Sequence, residues 1–323
     1  MGKCGFSNEL IVSVFKLFPS KFHSLFALIL SSTIWGLSPL FYRELQHIEP
    51  LTIMAFRVIW SCVFLFVFLA FTGKLVNICL LVKNYKTLTL LVFSSVMIGI
   101  NQFGFIYSIS VKQVIQASFA YYIFPLIAVF FGAFFLNERY SKMQVIALLL
   151  ALVSVSFLAI GLGYVPYISL ILGVTFGIYG LIKTILSLDP LQTVFLELSL
   201  ISIIATGYLG YLGMETSNNF SNVSKQDFFL LVASGLITAL PLYLFSYATL
   251  SLNYSTVGLV NYLNPTLQFL IAVLVFTETF SNTHAIGFFL IWISLFLYSL
   301  DSMGTTFFKS SRISSTDSHT LKP

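Results

Sequence analysis

The chain has 323 residues, 58% of them apolar and only 8% charged, with 35 Phe and a formal net charge of +5. So few polar groups cannot coat a water-soluble globule, which excludes a soluble enzyme or binding domain and makes this a membrane protein. The cysteines (Cys4, Cys62, Cys79) and histidines (His23, His47, His284, His319) are scattered along the sequence, so neither a disulfide framework, a metal site nor any other cofactor is indicated.

Residues 1–21 carry Lys3 and Lys16 around the short apolar stretch LIVSVFKLF, with no small-residue cleavage site, and are read as an uncleaved cytoplasmic leader. Ten apolar runs follow, at 22–41, 53–72, 87–106, 114–136, 143–162, 165–187, 193–213, 228–250, 255–276 and 284–301. Each is near the ~20 residues that span a ~30 Å hydrocarbon core as a helix. The runs are unbroken and rich in Leu, Ile and Phe, without the short alternating segments of a barrel, so the expectation is an all-α integral membrane protein with ten transmembrane helices. With the N-terminus inside, twelve Lys and Arg fall on the inner side and three (Arg43, Lys112, Lys225) on the outer, which predicts both termini in the cytoplasm. The basic residues form no stripe with interleaved aromatics, so nucleic acid is not an expected partner. The Ser-rich tail 303–323 is predicted to be disordered and cytoplasmic.

Shifted by 140 residues, the chain matches itself without a gap over about a hundred positions. Pro50-Leu51 aligns with Pro190-Leu191, LLVFSS (90–95) with LLVASG (230–235), Tyr122 and Pro125 with Tyr262 and Pro265, and Glu138 with Glu278. The register slips by one at the first run of each half, where Trp35-Gly36 aligns with Phe176-Gly177. The halves are therefore 22–162 and 163–302, each with five spans. Because five is odd, the second half enters the membrane upside down. Such an inverted repeat recurs in secondary transporters, with the substrate near the midplane between halves, although duplication is also a cheap way to build any bundle.

Polar groups inside a membrane are costly, so they mark candidate sites. The third run carries Asn101 and Gln102, the fourth Gln116, Tyr121 and Tyr122, the sixth Tyr179 and Lys183, and the ninth Asn261, Tyr262, Asn264 and Gln268 around Pro265. Amides and phenols suit a polar organic substrate better than a bare metal ion, and they serve equally as glue between helices. Pro125 and Pro265 each free a backbone acceptor in mid-helix, as hinge or kink. Glu138 and Glu278 lie at helix ends, placed to cap a helix, pair with a neighbour or take part in proton coupling. Gly36, Gly177 and Gly180 allow close helix approach, with Trp35 a candidate lining residue. Arg57 aligns with Glu197, each seven residues beyond a Pro-Leu pair. Inverted topology puts the two near opposite leaflets, too far apart for an ion pair, so each is expected to find its own partner within its half or to line a vestibule. For Arg57 the bland alternative is snorkelling to the outer interface. No phosphate-binding glycine loop, metal spacing or catalytic triad is present, so an enzyme is not expected.

With Trp35-Gly36, His47…Pro50, Arg57-Val58-Ile59-Trp60-Ser61, Asn101, Gln116-Ala117-Ser118…Pro125-Leu126, Glu138-Arg139, Phe176-Gly177-Ile178-Tyr179-Gly180-Leu181, Asn261-Tyr262-Leu263-Asn264-Pro265-Thr266-Leu267 and Ile291-Trp292 in this order, residues 24–302 resemble the bacterial RarD subfamily. That subfamily lies in the EamA group of the drug/metabolite transporter superfamily. The resemblance implies a ten-helix secondary transporter of the bacterial inner membrane whose relatives move amino acids, other metabolites or drug-like molecules. The chain departs from the pattern in three places. Gln116 stands where relatives usually carry Glu, removing a protonatable group; Phe124 stands where they carry Asn; and a basic pair is reduced to Lys183-Thr184.

The sequence thus predicts alternating-access transport of a small polar organic metabolite, amino-acid, nucleoside-like or drug-like, with a proton or counter-solute as candidate coupling partner. An S-adenosylmethionine-type importer or exchanger is an alternative within that class. A non-transporting scaffold or sensor is the alternative outside it.

Overall fold

The computed structural model describes residues 21–161, 167–215, 224–277 and, within 282–301, all but 284, 295 and 299. The leader apart from Lys21, the tail beyond Asp301 and Glu278 lie outside the described residues, as does the side chain of Gln116. Among the described residues nine helical segments are long and apolar enough to cross a bilayer, and a shorter apolar helix follows at Ala285–Tyr298. These are α1 (Lys21–Arg43), α2 (Pro50–Phe71), α3 (Tyr85–Ser110), α4 (Val114–Leu136), α5 (Lys142–Gly161), α6 (Tyr167–Leu186), α7 (Pro190–Glu215), α8 (Lys225–Ala248), α9 in two parts (α9a, Tyr254–Val260; α9b, Leu263–Leu274) and α10 (Ala285–Tyr298).

Two differences from the expected spans have a physical cause. The helices α2 and α7 start three residues early, at Pro50 and Pro190, because proline is tolerated at the first helical position, where its missing N–H has no partner to lose. The ninth span is not one helix. Pro265 has no N–H for the Asn261 carbonyl, which accepts instead from the Asn264 N–H at 3.1 Å, and the helix breaks at Asn261-Tyr262. Pro125, at the equivalent place, leaves α4 continuous.

The halves interleave. From the first half, α1 packs on α8 and both parts of α9, and α2 packs on α7 and α8; from the second, α6 packs on α3 and α4, and α7 also on α3. Hydrophobicity does not drive such packing in lipid, so close approach of small residues must do much of it. A methyl group at Gly36 would sit 2.7 Å from Leu267 Cβ, one at Gly177 2.5 Å from Ile127 Cγ2, and one at Gly180 2.5 Å from the Tyr254 hydroxyl. These are the three glycines that the sequence singles out. A satellite cluster of Phe119, Tyr122, Leu158, Tyr262, Phe269 and Phe288 fastens α4 and α9 to the peripheral α5 and α10.

Contacts between distant segments define two ends. At one, His47 pairs with Asp227 at 3.3 Å, Arg43 donates to the Val275 carbonyl and Tyr208 donates to Glu49. At the other, Lys74 pairs with Asp189 at 2.6 Å and Ser141 donates to Asp301. Glu138 also lies at this second end, where its carboxylate accepts from the Tyr254 and Ser255 N–H groups (2.7 and 3.2 Å) and caps α9a. Burial and the Glu138 carboxylate push the Tyr140 phenol above its ordinary pKa, keeping it a donor to Glu138. Asn137 and Thr277, 140 residues apart, both take the left-handed conformation just past a helix, with φ of 55° and 53°.

Candidate functional site

A cavity of about 440 Å³, its open mouth included, lies between the halves. It is lined from the first half by Trp35, Tyr42, Arg57, Asn101, Gln102 and Tyr121, and from the second by Phe176, Asn264 and Gln268, with Ser38, Phe105 and three aliphatic residues completing it. Tyr42 is adjacent to Arg43, and Arg57 lies seven residues into α2, so the cavity sits on the side of the end marked by Arg43 and His47.

Arg57 is turned inward and only 4% exposed. Its Nε donates to Thr238 Oγ1 at 2.7 Å and its guanidinium carbon stands 5.1 Å from the centre of the Tyr42 ring. This corrects the snorkelling alternative: the side chain is held across the halves by a hydroxyl and an aromatic face, a contact that strengthens when desolvated. Its partner Thr238 also lies in the other half, not its own. Arg57 Nη1 is buried without a hydrogen-bond partner, as are both polar atoms of Gln102 and the Oε1 of Gln268. Buried polar atoms nearly always have a partner, so three such residues around one cavity mark where a water or a polar solute would bond; Asn261 Nδ2, away from the cavity, is likewise without a partner.

The other polar residues of the cavity are mutually engaged. Asn101 donates to the Leu172 carbonyl at 2.7 Å and accepts from the Tyr121 hydroxyl at 3.2 Å, joining α3 to α6 and α4. Asn264 accepts from Gln268 at 2.7 Å, one helical turn on. Trp35 packs edge-on against Phe176 with ring centres 5.4 Å apart, and tilted against Phe245 at 5.7 Å.

Beyond these rings lies a second polar centre. Lys183 Nζ donates to Glu197 Oε2 at 2.8 Å and to Thr193 Oγ1 at 2.8 Å; Ser94 donates to Glu197 Oε1 at 2.6 Å, and the Tyr179 hydroxyl reaches Oε2 at 3.5 Å. Both charges are buried, at 4% and 1% exposed. Phe176 borders the cavity on one side and stacks on Tyr179 on the other, so an aromatic layer of Trp35, Phe176, Phe245 and Tyr179 separates the cavity from this pair.

Of the sequence candidates, then, Trp35, Arg57, Asn101, Gln102, Tyr121, Asn264 and Gln268 meet at the cavity. Tyr179, Lys183 and Glu197 meet at the buried pair. Tyr122 and Tyr262 belong to the satellite cluster, where the Tyr122 hydroxyl bonds Thr266 at 3.2 Å. Asn261 accepts from Ser32 at 3.0 Å beside the helix break and does not line the cavity. Sequence reasoning missed Tyr42, Thr238 and Ser94. Tyr42 had a signal, since under the 141-residue register of the first helices it aligns with Lys183. Thr238 and Ser94 had none, because hydroxyls in apolar helices usually bond their own backbone, as Thr238 also does.

Among the described residues no group of His, Cys, Asp or Glu could hold a metal. The cavity has donors, acceptors and aromatic faces but no nucleophile paired with a base; its chemistry is that of binding.

The sequence profile of the EamA-like transporter family matches residues 23–160 and 165–300. The chain is 34% identical over 271 residues to an uncharacterised transporter of Vibrio cholerae, covering 84% of this chain and 90% of that one. It is 34% identical to Protein RarD of Streptomyces exfoliatus (84% and 86% covered) and 31% identical to Protein RarD of Salmonella typhimurium (84% and 92% covered). A solved crystal structure superposes with a TM-score of 0.63 over 86% of this chain and 97% of its own, at 14% identity, a likeness of fold alone.

Proposed function

The chain belongs to the EamA-like transporter family, and from that premise we propose that it carries a small polar organic metabolite across the bacterial inner membrane by alternating access. It is a multi-pass membrane transporter and not an enzyme. The observation that carries the finer reading is the cavity between the halves, where Arg57, Gln102 and Gln268 keep buried polar atoms without partners. The Lys183–Glu197 pair closes the path on the opposite side of the aromatic layer. This is the arrangement expected of a site open toward one face and sealed toward the other.

The repeats are 22–162 and 163–302, inverted with respect to each other. In support, α1 finishes at the end marked by Arg43, whereas α6 finishes at the end marked by Asp189. The excess of Lys and Arg places the Asp189 end, with the leader and the tail, in the cytoplasm. The cavity then faces outward and the buried pair inward. Glu138 is occupied as a helix cap, and the buried Lys183–Glu197 pair is where we propose a proton or counter-solute is coupled.

The test is uptake and exchange in proteoliposomes against a metabolite pool, with and without a pH gradient. Accumulation or exchange of a solute is expected; a folded, oriented preparation that moves nothing would overturn the reading. Cysteines introduced at 215–225 should react only from outside, and labelling only from the cytoplasm would reverse the topology.

A further inference from the structure

We infer that the solute bound in the cavity is a small organic monocarboxylate, its carboxylate seated on Arg57 and its hydrogen-bonding body on Gln102 and Gln268. The inference rests on the transport reading for the cavity's being the substrate site.

The first argument is charge. Among the described residues Arg57 is the one formally charged residue lining the cavity, and a guanidinium does not deprotonate in proteins. His47–Asp227, Lys74–Asp189 and Lys183–Glu197 are ion pairs among the described residues, and Arg57 is in none of them. An uncompensated buried charge is strongly unfavourable and is retained where something arrives to neutralise it. Its symmetry equivalent, Glu197, has its counter-charge built in. The missing anion at Arg57 is therefore supplied from outside the chain.

Geometry narrows the anion. The bond from Nε to Thr238 and the Tyr42 ring fix the guanidinium at the cavity wall, and Nη1 is buried with its hydrogen-bonding capacity unspent, so an oxyanion seated on the guanidinium meets donors not committed to the chain. One positive charge balances a carboxylate. A phosphate monoester, carrying about −1.5 to −2 at neutral pH, would leave surplus negative charge in a low-dielectric site. The amides of Gln102 and Gln268 offer neutral donors and acceptors, and so ask for a hydrogen-bonding group without requiring a second charge. Trp35 and Phe176 supply flat apolar walls.

The experiment uses the full chain in nanodiscs. Acetate, lactate, benzoate and phenylacetate are compared with their primary amides, and phenyl phosphate is added as a dianion. Binding is read as a shift in thermal unfolding and as competition with the solute found by uptake. At least one carboxylate should bind about thirtyfold or more tighter than its amide. Arg57→Gln should abolish that preference and Arg57→Lys should retain part of it. The wild-type comparison needs no variant to fold. The inference is overturned if no carboxylate binds, if amides bind as tightly, if phenyl phosphate binds tighter than every carboxylate, or if Arg57→Gln keeps the preference. If a neutral or cationic solute is transported and carboxylates do not compete, this inference fails and transport stands. If carboxylates bind through Arg57 while nothing crosses the membrane, the inference stands and transport falls.

Discussion

Arg57 and Glu197 occupy the same register in two copies of one repeat, yet their surroundings are opposite in kind. Around Glu197 the charge is answered: Lys183 sits 2.8 Å away, and Ser94 and Tyr179 also donate to the carboxylate. Around Arg57 one hydroxyl and one ring hold the side chain, and Nη1 is buried without a partner near an equally unpartnered Gln102. The difference teaches that a duplicated scaffold fixes where a charge stands but not what completes it. One centre is completed by the chain itself, which is why we propose it as the seal, and the other is the one we propose a ligand completes.

The contrast can be broken most forcefully at the sealed centre. Lys183→Met would leave the Glu197 carboxylate buried without a counter-charge, and should cost about 3–5 kcal/mol of stability, read as thermal unfolding in nanodiscs. Adding Glu197→Gln to that variant should recover most of the loss. A single variant as stable as the wild type would mean that the pair does not hold the two helices together.

The same logic predicts the reverse at Arg57. Arg57→Leu removes a charge that has no partner to orphan, and Thr238 keeps its bond to the Ser234 carbonyl. Stability should stay within about 1 kcal/mol of wild type, or rise, while uptake of the transported solute falls about tenfold or more. Unchanged uptake would show that Arg57 lines the cavity without acting in it. A smaller effect is expected at Glu138, which bonds the two N–H groups that open α9a. Glu138→Ala should cost about 1 kcal/mol, the usual value of an N-terminal cap, with solute affinity nearly unchanged.

Much of this was legible in the sequence because it rests on register. The 140-residue shift pairs Arg57 with Glu197 and Pro125 with Pro265, and five spans per half predict the two charges at different depths. The Lys183–Glu197 pair was within reach too. The two residues flank the short turn between α6 and α7, Lys183 three residues before the end of α6 and Glu197 seven after the start of α7, and a long lysine stem spans the axial difference between antiparallel neighbours. What register cannot give is which helix of one half meets which helix of the other. Arg57 meets Thr238 and Glu197 meets Ser94 only because α2 packs on α8 and α7 on α3. Nor does a proline announce its effect: Pro265 accompanies a broken helix and Pro125 a continuous one.

The finest division between the two kinds of surroundings falls on consecutive tyrosines. Tyr121 and Tyr122 are both buried in α4, and a hydropathy pattern treats them alike. A helix turns about 100° per residue, so they face different neighbours. The Tyr121 hydroxyl donates to Asn101 Oδ1 at the cavity wall; the Tyr122 hydroxyl meets Thr266 in the cluster that fastens α10. Phenylalanine at either place removes one hydrogen bond, so both variants should lose about 1 kcal/mol of stability. Only Tyr121→Phe should also raise the apparent KM for uptake, because it frees an amide that shapes the site, whereas Tyr122→Phe should leave KM unchanged. Equal shifts in KM would mean that the cavity and the satellite cluster respond as one unit, and the division between a ligand-completed centre and self-completed packing would then not extend to α4.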